Sequence, residues 1–485
     1  MCADSHDTVE PQKEIESIGK FGPQGTLLFL DHLLVAVGGW IYWLIIVSKI
    51  TPFQVGQVTA VYSLVTLIST LTQLGLEYPI LKRSSSQHNQ ILVTALIIEL
   101  VITLATVPIV PYVINNLFQQ SLRGLSANFT PIAVIILFLS SLSFVSRFAL
   151  LGISDVKSVL IIDLIGTGIK FASGYTLVWL GLGAFGMLLS FLFQNLVIVS
   201  ATIFVARRRR KFGYKVGNAK YIIGVIKDGL INTPSKFSRT LILSLSVVLL
   251  GSFGISSSDI GIFYIALMVS IVAIGSLASS MAYMVIPISA KLRTDLSSAS
   301  SRITMSLNAP MIAAIISSPK FILSIIGTQY LPGETILLVL SIAILPFSIT
   351  MNFISKFNNL DMSRRLLLIG FIEILAFLIA FFFLVPHYGA LGAAFSTLTA
   401  FVSSCLLSLI WSDARSIRYI GVSAVAIVGG VTASHIIGLI INVHPIMAIL
   451  ISVTISLSIV VTLKNTSPNE IYQLAKGMIS RIEGT

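Results

Sequence analysis

The sequence predicts an all-α integral membrane protein of about 14 transmembrane helices, in two pseudo-symmetric six-helix lobes followed by two C-terminal helices. Three observations predict this fold: the composition, the placement of the basic residues and a repeat within the chain. The 485 residues are 55% hydrophobic and 10% charged, with a mean hydropathy of +0.96. A soluble globular protein has about 25% charged residues, so the composition excludes that class, and it excludes disordered, collagenous and coiled-coil chains as well.

Apolar segments of helix length follow one another along the whole chain. A helix needs about 20 residues to cross the apolar core of a bilayer. The connections between the segments are short, so no sizeable soluble domain fits between them. Charged residues, a glycine and a proline interrupt the first half of the seventh segment, which makes it the least regular. The predicted spans are 25–47, 57–78, 90–114, 130–152, 157–179, 183–205, 223–252, 260–289, 303–325, 335–357, 366–386, 389–411, 419–440 and 445–463.

The basic residues predict the orientation of these spans. Lysine and arginine collect on cytoplasmic loops of membrane proteins. With a cytosolic N-terminus, and with residues near a span end counted with the adjacent side, 24 of the 31 lysines and arginines fall on the cytosolic side, three fall on the outer side and four lie deeper within spans. We therefore predict a multi-pass protein of the cell (cytoplasmic) membrane with both termini cytosolic, and this topology explains the net charge of +12 without nucleic acid. The predicted units are a tail (1–24), an N-lobe (25–205), a basic linker (206–222), a C-lobe (223–411), spans 13 and 14 (412–463) and an amphipathic tail (464–485).

The basic run at 207–211 lies on the linker between the two lobes. One interpretation is a site for anionic lipid or nucleic acid. The favoured interpretation is a strong orientation signal, because the run lies on a cytosolic connector in the middle of the chain. The two cysteines, Cys2 and Cys405, form neither a disulfide framework nor a metal-site spacing. We predict no catalytic residues, no cofactor and no metal site.

Two short fragments recur at nearly the same offset. Val55-Gly56 after the first span matches Ile260-Gly261 after the seventh, 205 residues later. Gly183-Ala-Phe-Gly186 matches Gly389-Ala-Leu-Gly392, 206 residues later. The offset spans six helices, an even number, so both lobes have the same orientation and are related by an axis along the membrane normal, as in parallel-repeat transporters. A cleft between two such lobes favours transport by alternating access over a channel or a membrane enzyme.

Charged residues inside spans cost free energy and indicate function by default. Lys236 and Arg239 lie on one face of the seventh span, and Asp31 and His32 lie in the first. The repeat offset makes Asp31 and Lys236 equivalent positions, which predicts that both face the central cleft as a gate-like pair. The candidate coupling and gating residues are therefore Asp31, His32 and Asp163, and the candidate substrate-binding residues are Lys236, Arg239 and Lys170.

Structural alternatives stay open for several of these residues. Lys236 could pair with Asp228 merely to hold helices together, and Asp163 could neutralise Lys170, two turns further along one face of the fifth span. His32 could be a satisfied core histidine. Glu77 and Arg147 lie near inner ends of spans, where we expect their polar groups to extend toward the interface.

Three stretches resemble the oligosaccharide-lipid flippases of the polysaccharide biosynthesis protein family (Wzx-like), in the superfamily that also contains the multidrug and toxin extrusion transporters. The first runs from Val55-Gly-Gln-Val-Thr-Ala-Val-Tyr62 to Leu74-Gly-Leu-Glu77. The second is Ile326-Gly-Thr-Gln-Tyr-Leu-Pro332, and the third is Leu384-Val-Pro-His-Tyr-Gly-Ala-Leu-Gly-Ala-Ala394. Together they extend the likeness over residues 18–463. They are motifs of structure more than of chemistry.

The resemblance implies a two-lobed transporter, not an enzyme, that moves a polyprenyl-phosphate- or pyrophosphate-linked oligosaccharide to the outer leaflet for surface polysaccharide or glycan assembly. It implies that Lys236 and Arg239 attract the lipid phosphate. Expected partners are the lipid-linked oligosaccharide, membrane lipids and glycan-assembly enzymes, with no nucleic acid, and the protein is expected to be a monomer. Asp31 resembles the coupling aspartate of drug extruders, so a cation-coupled multidrug or metabolite antiporter is the alternative.

Overall fold

The computed structural model describes residues 23–118, 129–153, 155–209, 215–279, 297–360, 362–411, 414–441 and 444–463. Regular structure in these residues is helical throughout, which confirms the predicted all-α class. The helices are α1 (Pro23–Val47), α2 (Pro52–Thr72), α3 (Glu77–Thr106), α4 (Phe129–Gly152), α5 (Val156–Leu177), α6 (Gly183–Arg209), α7 (Ala219–Ser252), α8 (Ser257–Leu267), α9 (Ser297–Ser317), α10 (Pro319–Ile326), α11 (Glu334–Asn359), α12 (Ser363–Ile410), α13 (Ala414–Ile441) and α14 (Pro445–Thr462).

Nine helical segments of the described residues are long and apolar enough to cross a membrane, and ten are if one bent pair counts as a single span. Two of them, Val156–Val205 and Arg364–Ile410, have 50 and 47 residues. At 1.5 Å per residue, each is about twice as long as a bilayer core is thick. Each folds back on itself at a glycine, since Gly186 lies against Leu177 and Gly392 lies against Leu384. Each long segment can therefore cross the membrane twice.

The two fold-back points have the same backbone conformation. Gly183 has φ 48° and ψ −125°, and Gly389 has φ 54° and ψ −129°. Residues with a side chain rarely adopt this region, so glycine is required at both turns. These are the equivalent glycines of the sequence repeat, and the repeat is thus a structural one.

Helix contacts repeat in the same way. In the first half of the chain α1 packs on α5, α3 packs on α4, and α4 packs on α6. In the second half α7 packs on α12, α9 on α11, and α11 on α12. Helices α13 and α14 have no counterparts, and both pack on α9 and on each other.

Helices α2 and α8 meet at the centre of this pseudo-symmetry. A Cβ on Gly56 would overlap the backbone of Ser257, and one on Gly261 would overlap the backbone of Pro52. The contact is reciprocal, as a twofold axis demands. The two helices begin with equivalent N-caps. The Thr51 hydroxyl oxygen accepts a hydrogen bond from the backbone N–H of Gln54, and the Ser256 hydroxyl oxygen accepts one from the backbone N–H of Asp259.

One apolar core joins the two halves at the end of the bundle that holds this glycine contact, called the Gly56 end. It contains residues of α1, α2, α4 and α6 together with residues of α7, α8, α11 and α12. There, too, the Gln329 side chain donates a hydrogen bond to the Ile50 carbonyl oxygen, 2.9 Å away. At the opposite end, called the Asp228 end, there are two separate apolar clusters: one combines first-half residues with Val225 of α7, and the other lies within the second half. The halves are therefore joined most extensively at the Gly56 end.

Helix α7 also bridges the halves at the Asp228 end. Asp228 forms an ion pair with Arg83 of α3, and a Cβ on Gly229 would lie 2.5 Å from the Leu74 carbonyl oxygen. Leu74 has φ 42°, an uncommon value for a residue with a side chain. The first half of α7 thus packs against the α2–α3 junction.

Candidate functional site

A guanidinium between two aspartates forms the centre of the site. Arg147 of α4 places Nη2 2.6 Å from Asp31 Oδ2 of α1 and 2.8 Å from Asp163 Oδ2 of α5. Asp31 is fully buried and Asp163 is nearly so. A single cation thus holds two carboxylates from different helices, and the trio carries one net negative charge when both aspartates are ionised. We call Asp31, Arg147 and Asp163 the charged trio.

The trio borders a cavity of about 300 Å³ inside the first half of the molecule. That volume is at the lower end of small-molecule sites. Residues of α1, α2, α4, α5 and α6, together with Gln73 just after α2, line the cavity. Eight of its lining residues are serine, threonine or glutamine, and three are aromatic. The lining is Val35, Tyr62, Thr66, Ser69, Thr70, Gln73, Ser140, Ser143, Phe144, Arg147, Phe148, Asp163, Thr167, Gln194 and Ile198.

Three of the lining hydroxyls on α2 and α4, those of Thr66, Thr70 and Ser143, donate to carbonyl oxygens of their own helix. Thr66 donates to the Tyr62 carbonyl oxygen at 2.9 Å, and Thr70 donates to the Thr66 carbonyl oxygen at 2.8 Å. Such bonds satisfy the hydroxyl proton and leave oxygen lone pairs available. Across the cavity, the side chains of Thr167 and Gln194 have no hydrogen-bond partner within the described residues. The walls therefore offer both acceptors and donors to a ligand.

Lys170 lies next to the cavity, within a cluster of aromatic rings. Its ammonium nitrogen is 4.9 Å from the centre of the Tyr42 ring and 5.7 Å from that of Phe191. The Tyr42 hydroxyl and Ser190 Oγ are 2.6 Å apart, and Phe191 stacks on Tyr62 of the cavity wall at 4.1 Å between centres. Ring faces attract a cation, more strongly where water is excluded. Lys170 thus contacts rings, while Asp163 contacts Arg147, so these two residues do not neutralise each other directly.

In the second half of the molecule, uncharged residues occupy the positions that correspond to Arg147, Asp163 and Lys170, whereas Asp31 corresponds to Lys236. With the offset of 206 residues, Asp163 corresponds to Ile369 and Lys170 to Ala376. Arg147 corresponds to Asn352 or Phe353, depending on which of the two offsets applies. Because uncharged residues occupy these positions in the same helical framework, the fold does not itself require the charges.

The other predicted site residues fall outside the described side chains. The structure describes the backbone of α1 at His32 and of α7 at Lys236 and Arg239, but not these three side chains. The predicted pairing of Asp31 with Lys236, and the alternative of Lys236 with Asp228, thus stay predictions. Among the described residues, Asp31 pairs with Arg147 and Asp228 pairs with Arg83.

Sequence reasoning missed Arg147. Its place near the predicted end of a span favoured an extended, interfacial side chain, whereas the structure turns it inward onto the two aspartates. The available signal was the pair of aspartates inside spans, because buried carboxylates require a cation or hydrogen bonds. Within the residues that the structure describes, histidine, cysteine and acidic side chains form no group of three suited to a metal ion.

Known structures share this fold. A multidrug resistance MATE family transporter of the MOP superfamily, in an inward-facing conformation, has a TM-score of 0.61 at 15% identity, over 82% of this chain and 99% of that one. The lipid II flippase MurJ, in an inward closed conformation, has a TM-score of 0.67 at 13% identity, over 90% of this chain and 98% of that one. No curated protein matches the sequence.

The family is shown by the sequence itself. Residues 49–334, more than half of the chain, match the family model described as polysaccharide biosynthesis protein. Together with the apolar helices and the shared fold, this match makes the protein a multi-pass membrane protein. The chain therefore belongs to the polysaccharide biosynthesis protein family.

Proposed function

We propose that the protein is a flippase that moves a polyprenyl-phosphate- or pyrophosphate-linked oligosaccharide from the cytosolic to the outer leaflet of the cell membrane. The observation that carries the proposal is the cavity in the first half, whose hydroxyls and amides lie inside an apolar, family-typical membrane fold. Polar groups inside a membrane protein are costly, and they are retained where a polar ligand passes. A lipid-linked glycan is a ligand that needs both a polar cavity and access from the lipid.

In this proposal the Gly56 end faces outward and the termini are cytosolic. The joined core at the Gly56 end then closes the outer side. The lipid phosphate is held by Lys236, Arg239 and Lys170, because ammonium and guanidinium groups form strong hydrogen bonds to phosphate oxygens in a desolvated site. An inside-negative potential favours outward movement of an anion by about 2.3 kcal/mol per charge per 100 mV.

The test is reconstitution of the purified protein into vesicles that contain a polyprenyl-pyrophosphate-linked disaccharide with a fluorescent label on its sugar. Flipping is measured as the fraction of label that an impermeant reductant quenches over time. Lys236→Ala with Arg239→Ala is expected to abolish flipping, and Lys170→Met to slow it. Lys320→Ala, an exposed cation outside the proposed path, is the control. Wild-type flipping in the double variant would overturn the assignment of the phosphate site.

A cation-coupled antiporter is the second candidate, and the charged trio favours it. Two buried carboxylates on α1 and α5 share one cation, so a proton or a sodium ion can balance the remaining charge. In that case Asp31→Asn abolishes transport and Lys236→Ala has little effect. The flippase proposal predicts the opposite ranking. Ion-gradient-driven uptake of a cationic dye into the same vesicles distinguishes the two functions.

A further inference from the structure

We propose that the cavity in the first half binds one sugar unit of the transported oligosaccharide, and that this unit carries no negative charge. The proposal rests on the proposed function and specifies the part of the substrate that this cavity accepts. It assigns the lipid phosphate to a different place in the protein. The argument uses the size of the cavity, the chemistry of its walls and the charges beside it.

Size and polarity point to a small, highly hydroxylated ligand. The cavity of about 300 Å³ is at the lower end of small-molecule sites, a size that suits one sugar unit with the rest of the oligosaccharide outside it. On one wall, the hydroxyls of Thr66 and Thr70 donate to their own helix, so their oxygen lone pairs are available to accept hydrogen bonds from a ligand. On the facing wall Thr167 and Gln194 lack protein partners within the described part of the chain. A sugar hydroxyl donates and accepts at once, so it fits a lining that presents both functions.

The apolar part of the lining suits a sugar ring as well. Tyr62 presents a ring whose other side stacks on Phe191, and Phe144 and Phe148 form a second aromatic surface with ring centres 4.9 Å apart. Aromatic side chains combine an apolar face with a fixed orientation. The carbon-bound hydrogens of a pyranose pack on such faces while its hydroxyls reach the polar wall.

The charged trio selects against anionic sugars. The Arg147 guanidinium is already shared by two carboxylates, and Asp163 itself lines the cavity. The next cation along α5, Lys170, contacts the rings of Tyr42 and Phe191 and is not part of the lining. A uronate or phosphate in the cavity would meet the negative charge of Asp163 and compete with two carboxylates for one cation. Neutral hexoses and N-acetyl sugars escape this penalty.

The proposal is tested by direct binding to the purified protein in detergent, independently of flipping. The probes are methyl N-acetylglucosaminide, methyl glucoside and methyl glucuronide, and binding is measured by saturation-transfer NMR. We expect the neutral glycosides to bind and the glucuronide to bind at least tenfold more weakly. Thr167→Val and Gln194→Leu are each expected to weaken neutral binding about threefold to tenfold, the loss that one hydrogen bond represents. Thr176→Val, on the same helix but bonded to its own backbone, is the matched control.

A change of selectivity tests the role of charge. Asp31→Asn together with Asp163→Asn removes the two carboxylate charges that Arg147 contacts in the trio, and this double variant is expected to bind the glucuronide better than the wild type does. If Thr167→Val or Gln194→Leu (the polar-wall variants) folds poorly, the lining residue Ser143 is replaced by cysteine instead. Bound neutral glycoside is then expected to protect the thiol of Ser143→Cys from alkylation. Equal binding of neutral and anionic glycosides, or unchanged neutral binding in both polar-wall variants, would overturn the inference. If glycosides bind as expected but vesicles show no flipping, the proposed function fails while the cavity assignment stands.

Discussion

At the scale of single residues, the ion pairs of the charged trio stabilise ionised side chains that are buried inside the first half of the molecule. Asp31 is fully buried, and Arg147 holds it together with Asp163. A buried ion pair adds little net stability compared with an apolar replacement, but removing one partner leaves an uncompensated charge. The loss of Arg147 alone is therefore expected to be costly, whereas combined neutral replacements of all three residues are expected to be mild.

We predict that Arg147→Ala destabilises the protein by about 3–5 kcal/mol because it leaves two facing carboxylates without their cation. Combining Arg147→Met with Asp31→Asn and Asp163→Asn is expected to recover most of this loss, since no ionised group then remains in the trio. Thermal unfolding of the purified variants in one detergent measures both effects. Additive losses in the triple variant would contradict the shared-cation geometry.

At the same scale, the sequence alone could identify the charges but not their partners. Asp31 and Asp163 stand out because ionised residues are rare in apolar segments. Their common partner, Arg147, is 116 residues from Asp31 along the chain, and the contact depends on how α1, α4 and α5 pack. The repeat offset suggested Lys236 as a partner of Asp31, but an offset gives equivalence between positions and no contact distance. The ion pairs of Arg147 with Asp31 and Asp163 could therefore be identified only from the structure.

At the scale of elements, glycines set the closest helix approaches. A Cβ on Gly56 would overlap the backbone of Ser257, which cannot move aside as a flexible side chain could. We predict that Gly56→Ala destabilises the protein by about 1–3 kcal/mol through overpacking. Gly168→Ala on α5 is the control, because no atom lies within 4 Å of its added Cβ, and it is expected to be neutral or slightly stabilising. Equal melting temperatures for the two variants would refute close packing of α2 on α8.

The two fold-back glycines give a second prediction at this scale. Gly389→Ala is expected to cost about 1–3 kcal/mol from backbone strain alone, because its Cβ meets only Ile255, at 3.8 Å. Gly183→Ala is expected to cost more, since its Cβ would lie 2.5 Å from the Gln54 side chain that caps α2. In a Gln54→Ala background the two substitutions are expected to cost the same. Denaturation of the four variants tests this, and a persistent difference would mean that the two turns are not equivalent.

At the scale of the whole molecule, much of the architecture could be predicted because insertion into a lipid bilayer strongly constrains the composition and the segment lengths of a sequence. Apolar segments of helix length indicate spans, and a constant offset between glycine fragments indicates duplication. The glycine fragments predicted the duplication correctly because their glycines lie at positions where the fold requires glycine. These positions are the contact between α2 and α8 and the turns within Val156–Val205 and Arg364–Ile410. The cavity could not be predicted, since its lining comes from five helices and follows no sequence period.

The contacts between halves at both ends of the bundle give the last prediction. In an alternating-access transporter, the two halves must separate at each end in turn. Arg83 and Asp228 pair across the halves at the Asp228 end, and both side chains are partly exposed. With native Cys2 and Cys405 replaced by serine, Arg83→Cys with Asp228→Cys provides two thiols that a short bismaleimide can join. We expect this cross-link to stop flipping in the labelled-disaccharide assay, because the Asp228 end can no longer open to the lipid substrate.

The matched control uses the same cross-linking reagent on a cysteine pair that lies within one half of the molecule. Lys320, whose side chain is exposed, and Glu334, whose side chain is partly exposed, form an ion pair of 3.4 Å, and both belong to the second half. Lys320→Cys with Glu334→Cys, joined by the same reagent, ties together two positions that move as one body, so flipping is expected to continue. The unreacted cysteine pairs report any effect of the substitutions themselves. Flipping that survives the Arg83–Asp228 cross-link would show that the halves need not part at that end, because a bridge of covalent bonds cannot stretch by the several ångströms that opening requires.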